Sequence, residues 1–163
     1  MRGLLAGIAV VVSVLLPASA ALGEPPLRVP DQVTDRVGAL DGRETEVEVA
    51  LDDVRADTGI QVFAVYVSSF DGRSGDEWAN ETARVSQLGG NDVLLAVAVD
   101  DRAYGYSVDE SFPISDAALE QLVTGDVEPR LAEEDWAGAA VVMADGLRGT
   151  SADGGLGAGS PPA

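Results

Sequence analysis

The stretch Asn91-Asp92-Val93-Leu94-Leu95-Ala96-Val97-Ala98-Val99-Asp100-Asp101-Arg102 leaves this chain few folds to choose from. Seven apolar residues run unbroken from Val93 to Val99, between an acidic entry and an acidic exit. A run of that length, rich in Val and Leu and bounded by turn formers, reads as a strand buried on both faces. Such burial requires helices above and below the sheet. The run therefore predicts an α/β protein built as a three-layer α/β/α sandwich.

Neighbouring segments supply the other layers. Val47, Ala50, Leu51 and Val54 recur at i, i+3, i+4 and i+7, one apolar stripe on a helix opened by Asp41-Gly42 and stopped by Thr58-Gly59. Glu44, Glu46, Glu48, Asp52 and Asp53 fall largely off that stripe and form a solvated face. Ile60 to Val67 reads as the first strand. Ser74 with Glu77 fits a capping box for a second helix, where Trp78 is a core residue. Two strands joined by a crossover helix are parallel. Asp100-Asp101-Arg102 is too short for another crossover, so the strand carrying Tyr104, Tyr106 and Val108 returns antiparallel. Ser115 caps a third helix that Pro129 interrupts or restarts, and a last helix places Trp136, Ala139, Ala140, Met143 and Leu147 on one face. Val33 to Leu40 is expected to lie along the domain as an irregular segment.

The two ends differ in character. Residues 1–20 combine an early positive charge at Arg2, an apolar stretch from Leu4 to Leu16 and an Ala-x-Ala pattern ending at Ala20. That is the layout of a secretory signal peptide. Thirteen residues of helix make roughly 20 Å, short of the roughly 30 Å hydrocarbon core. An uncleaved signal anchor is the alternative, and either way the rest of the chain is expected outside the cytoplasm, secreted or in the cell envelope. Residues 21–29 form an extended leader rich in proline, residues 30–148 the folded domain, and residues 149–163 a disordered Gly/Ser/Pro tail. No segment after residue 20 is expected to span a bilayer.

Composition narrows the chemistry. A formal charge of −18, from 28 acids against 10 bases with no histidine, repels phosphate backbones and argues against nucleic-acid binding. With no cysteine and no histidine, disulfides, thiolate sites, Ser-His-Asp catalysis and His-ligated zinc are excluded. What remains is carboxylates, Arg, Tyr, hydroxyls or a hard metal ion. In open α/β sheets ligands favour the carboxyl ends of parallel strands. Here those ends carry Ser68-Ser69 with Asp71, and Asp100-Asp101-Arg102. Asp100, Asp101 and Asp71 are therefore candidate ligands for Ca²⁺ or Mg²⁺, with Ser68, Ser69 and Arg102 as binding residues beside them. The competing reading is that Asp-Asp-Arg is ordinary hairpin-turn chemistry.

In their order and spacing, Val33-Thr34-Asp35, Thr58-Gly59-Ile60-Gln61-Val62, Asn91-Asp92 before the apolar strand, Asp100-Asp101-Arg102, Pro129-Arg130 and Asp135-Trp136-Ala137-Gly138 resemble the TPM domain. The resemblance covers about residues 29–148. It implies a sheet of about four strands between helices in an extracytoplasmic setting. It also implies divalent-metal binding and weak acid phosphatase activity for some members, and assembly or repair roles for others. Val93 follows Asn91-Asp92 directly, where the family usually has Gly, and the family's Gly-rich turn is replaced by Asp109-Glu110-Ser111-Phe112-Pro113. The C-terminal membrane helix frequent in bacterial members is missing. The expectation is a monomeric binding or assembly module for an envelope or extracellular protein, with one Ca²⁺ or Mg²⁺. The rival is a metal-dependent acid phosphatase in which Asp100 and Asp101 hold the cation and Arg102 steadies the phosphate.

Overall fold

The computed structural model describes residues 23–152. The expected signal segment and residues 153–163 of the expected tail lie outside the described residues. In chain order the elements are β1 (Val33–Asp35), α1 (Glu44–Thr58), β2 (Gln61–Val67), α2 (Gly75–Ser86), β3 (Asp92–Ala98), β4 (Ala103–Val108), α3 (Asp116–Leu122), α4 (Glu128–Ala132) and α5 (Trp136–Ala152). They form a four-stranded sheet of order β1-β2-β3-β4. The first three strands are parallel and β4 runs antiparallel to β3.

The long apolar run does what its pattern demands. Val93 to Ala98 are all buried, because β2 and β4 flank the strand and helices cover both faces. Val62, Ala64, Tyr66, Val93, Leu95 and Val97 join the core shared with α1, α3 and α5. Phe63, Val65, Val67, Leu94, Ala96 and Ala98 pack with Phe70, Trp78 and Ala79 of the α2 layer. Val47, Leu51 and Val54 are the buried stripe of α1. The Ser74–Glu77 capping box is present at the start of α2.

A single short helix cannot roof a sheet, and the leader completes the α2 layer. Leu27 and Val29 pack into that cluster. The leader's backbone is held along α2: Leu27 N donates to Thr82 Oγ1 at 3.3 Å, Val29 N to Ser86 Oγ at 3.0 Å, and the Trp78 indole N–H to the Glu24 carbonyl at 2.7 Å. Glu24 N donates to the Ser69 carbonyl at 2.9 Å. Residues 23–30 are thus extended and bound to the domain.

Three local features differ from the sequence reading. Val33–Asp35 is an edge strand paired with Ala64–Tyr66, where an irregular segment was expected; three residues are too few for a period-2 pattern to show. The third helix is not broken before Pro129 but widened, with a π turn over Val123–Val127 in which Glu128 N donates to the Val123 carbonyl. Proline lacks an N–H and its ring crowds the carbonyl four residues back; the wider turn precedes it, and Pro129 sits in the first turn of α4. The last helix continues to Ala152, four residues into the stretch expected to be tail.

No helix among the described residues is long and apolar enough to cross a membrane. Leu95 is fully buried beneath α1 and α5, so Leu95→Ala is expected to destabilise the fold by about 2–5 kcal/mol. Val49→Ala, at a site 54% exposed, should stay within about 0.5 kcal/mol of the parent. Urea melts of the two variants check the contrast.

Candidate functional site

The carboxyl ends of β1, β2 and β3 share one rim with the amino end of α5. Each rim loop is tied by an aspartate to backbone amides. At the end of β1, Asp35 Oδ1 accepts from Val37 N and Ala39 N, both at 3.1 Å, and Oδ2 accepts from Leu40 N at 3.0 Å. At the ends of β2 and β3, Asp101 Oδ2 accepts from Ser69 Oγ at 2.7 Å and from Phe70 N at 2.9 Å. Asp135 caps α5: its Oδ1 accepts from Gly138 N at 2.9 Å and its carbonyl from Ala139 N.

Asp135 also anchors the rim's charge network. Arg43 NH1 lies 2.5 Å from Asp135 Oδ1 while its Nε meets Glu46 at 2.8 Å, and Arg130 reaches Asp135 Oδ2 at 3.3 Å. Partial burial works against ionising Asp135, but the Arg43 contact, the Gly138 amide and Arg130 outweigh it and hold the carboxyl below its ordinary value. Tyr66 donates to the Trp136 carbonyl at 3.0 Å, joining β2 to the start of α5. Burial, then the charges of Asp35 and Asp135, push its hydroxyl well above the ordinary tyrosine range, so it stays a donor.

The sequence-predicted residues are brought together only in part. Ser69, Asp71 and Asp101 share one loop pair, Asp71 N donating to Ser69 Oγ at 3.3 Å. Ser68 contributes its carbonyl, which accepts from Asp100 N at 2.9 Å. The side chains of Asp100 and Asp71 are exposed. Ser69 and Phe70 aim donors, not oxygen ligands, at Asp101. Among the described residues, no group of three or more acidic side chains could hold a metal ion. Arg102, in a left-handed backbone conformation (φ +50°), points the other way and pairs with Glu134.

That pair stands at the mouth of a cleft of about 390 Å³ between the β3–β4 hairpin and α4–α5. Val97, Ala103, Leu131, Ala132 and Trp136 line it, with Tyr104 and Glu128 at one end. Tyr104 donates its hydroxyl to Glu128. A mostly apolar concavity with a few convergent polar groups is the usual form of a ligand site. Sequence reasoning reached Arg102 but not the α4–α5 wall. The signal was there in Pro129-Arg130 and Asp135-Trp136, motifs whose spacing says nothing about which strand they approach.

The fold and the rim are those of a known family. The chain belongs to the TPM domain family, whose model matches residues 33–150, from β1 into α5. It is 40% identical over 136 residues to the UPF0603 protein Rv2345 of Mycobacterium tuberculosis strain H37Rv, and equally to MT2410 of strain CDC 1551. The match covers 82% of this chain and 20% of those proteins; the chain spans about a fifth of the length of the curated relatives it matches. Among solved structures, the N-terminal domain of the cg2496 protein of Corynebacterium glutamicum is similar with a TM-score of 0.66 at 29% identity, covering 88% of this chain and 91% of that one. An N-terminal domain of a P. gingivalis protein shares the fold with a TM-score of 0.64 at 19% identity, over 81% of this chain and 88% of that one.

Asp135 provides the test of the rim. Its native carboxyl sits below the ordinary value, so its ionised contacts stabilise the fold above about pH 4, and that contribution is lost as pH falls through the depressed native value. Asp135→Asn is expected to lower the melting midpoint at pH 7, and the gap to the parent should narrow below about pH 4. A methyl group at Gly138 would overlap the Asp135 carboxylate, whereas Gly149 faces open space. Gly138→Ala should therefore lower the midpoint and Gly149→Ala should not.

Proposed function

We propose that this chain is an extracytoplasmic binding or assembly module of the TPM type, whose cleft beside Arg102 and Trp136 receives an apolar side chain of a partner protein. The observation that carries this reading is the cleft: Val97, Leu131, Ala132 and Trp136 give it an apolar lining at the rim where α/β sheets hold ligands. The secreted or envelope setting rests on the layout of residues 1–20. The partner is a protein of the envelope or extracellular space, met by a monomer.

A phosphatase would need positioned cationic groups for charge developing on the transferred phosphoryl group. At this rim three arginines already face carboxylates: Arg43 and Arg130 share Asp135, and Arg102 meets Glu134. That pairing favours binding over phosphoryl transfer. In the same reading the Asp101–Ser69 contact is a structural clasp. A cation at about 100 times its Kd would add about 2.7 kcal/mol. Ca²⁺, Mg²⁺ or chelator is expected to leave the melting midpoint in place; a shift abolished by Asp100→Asn with Asp71→Asn would return these loops to metal binding.

A photoreactive side chain at Ala132, which is exposed and lines the cleft, is expected to give a discrete crosslinked adduct on the native cell surface. The same group at Val49 on the far side of α1 should give none, and Trp136→Glu should remove the Ala132 adduct. Equal labelling from both positions would overturn the cleft as the binding site. Hydrolysis of p-nitrophenyl phosphate by purified protein, abolished by Arg102→Ala, would establish the phosphatase reading instead.

A further inference from the structure

A second recognition surface lies along the outer edge of β4. This strand ends the sheet, so half of its amides and carbonyls face away from β3. Among the described residues, no backbone group outside the sheet hydrogen-bonds to Ala103–Val108. The Tyr104 hydroxyl donates to Glu128, and the start of α2 packs on the face of the strand at Tyr104 and Gly105 without hydrogen-bonding to its backbone. Edge strands are normally protected by proline, lysine, a bulge, an inward charge or a covering helix or loop. The segment Ala103-Tyr104-Gly105-Tyr106-Ser107-Val108 has no proline and no charged residue, and its register with β3 runs unbroken from Val93–Val108 to Ala98–Ala103.

The surroundings of this edge specify what could pair with it. A groove of about 330 Å³ joins it to the helices on either side. Asp76 from the first turn of α2 forms one wall, Glu120, Thr124 and Glu128 form the other, and the half-buried rings of Tyr104 and Tyr106 lie between. No basic residue lines the groove. Burial, then the charges of Glu120, Asp76 and Asp116, raise the Tyr106 hydroxyl above its ordinary value. Burial, the Glu128 contact and Asp76 raise Tyr104 likewise. Both phenols therefore remain protonated, in a field that draws cations. A guanidinium or ammonium group laid over a tyrosine ring beside carboxylates gains both cation–π and ionic attraction.

We propose that the outer edge of β4 docks an extended, basic segment of a partner protein, which adds as a fifth strand. Side chains alternate along such a strand, so every second residue of the segment faces Tyr104, Tyr106 and the Glu120–Glu128 wall, and those positions carry arginine or lysine. A second copy of this chain is a poor occupant, since edge-to-edge pairing would bring two acidic grooves together. This surface is distinct from the cleft beside Trp136, which lies on the other side of the Tyr104–Glu128 contact.

The test uses the exported chain and two synthetic octapeptides, one alternating arginine with valine and one alternating glutamate with valine. The arginine peptide is expected to bind, to slow hydrogen exchange of the outward β4 amides, and to shift the Tyr104 and Tyr106 resonances, while the glutamate peptide does none of these. Asp76→Lys with Glu120→Lys, both exposed positions, should weaken the arginine peptide by roughly tenfold or more through like-charge contacts. Ala132→Trp fills the neighbouring cleft and should leave peptide affinity unchanged. The proposal is overturned if neither peptide binds, if both bind equally, if the lysine variant binds as the parent does, or if the protected amides lie outside β4. Loss of binding in Ala132→Trp would place the peptide in the cleft, and self-association through β4 would make a second copy the occupant; either result also overturns it.

Discussion

The removal of β2 and β3 from water on both faces is the constraint on which the rest of this fold depends. Six consecutive residues of each strand are buried, and apolar area is stabilising only where both sides are covered. One side is met by α1, α3 and α5, with Val47, Leu51, Met143 and Leu147 at no measurable exposure. The other side has α2 alone as a regular element. Its coverage is completed by Phe70, whose ring stacks at 5.1 Å from Trp78, and by the extended leader. At β4 even a side chain is dispensed with: the backbones of Gly75 and Gly105 approach so closely that a Cβ on either would overlap the other. The approach brings α2 down onto the last strand.

The acids shared with the TPM pattern each close a turn of the backbone. Asp35 holds three amides, Asp101 an amide and a hydroxyl, and Asp135 the first turn of α5. Asp92 holds Gly89 N at 2.7 Å. Each stands where a strand or helix leaves backbone donors unsatisfied, and a carboxylate is the strongest acceptor available to them. The Asp135–Gly138 spacing has the same origin, because in this geometry a Cβ three positions on would overlap the capping carboxylate. Motif spacing here reports loop closure, and the cleft beside it draws only Arg102 and Trp136 from the motifs, the rest of its lining coming from residues outside them.

Much of the fold is legible in the sequence because its signals are periodic and long. The seven-residue run of β3, the stripe of α1 and the capping box of α2 each state their own geometry. β1 is not legible, since three residues, Val33–Asp35, have no period and their pairing depends on a partner about thirty positions on. The site is readable only by halves. Ser69 and Asp101 are adjacent because parallel neighbours end together, and topology alone places them. The opposite wall, Leu131 to Trp136, approaches β4 through the angle at which α4 and α5 meet across Glu133–Asp135. No local pattern encodes that angle. The choice between turn chemistry and ligand chemistry for Asp101 likewise depends on where the Ser69 hydroxyl and the Phe70 amide point.

The leader has its own logic. Thr82, Ser86, Trp78 and Ser69 all grip it through main-chain atoms, while Leu27 and Val29 pack as side chains and Glu24 pairs with Arg36. Its main-chain grips depend on the count of residues more than on their identity. Inserting or deleting one position would put every grip out of step with α2, so this stretch works as a ruler laid along α2 ahead of the first strand.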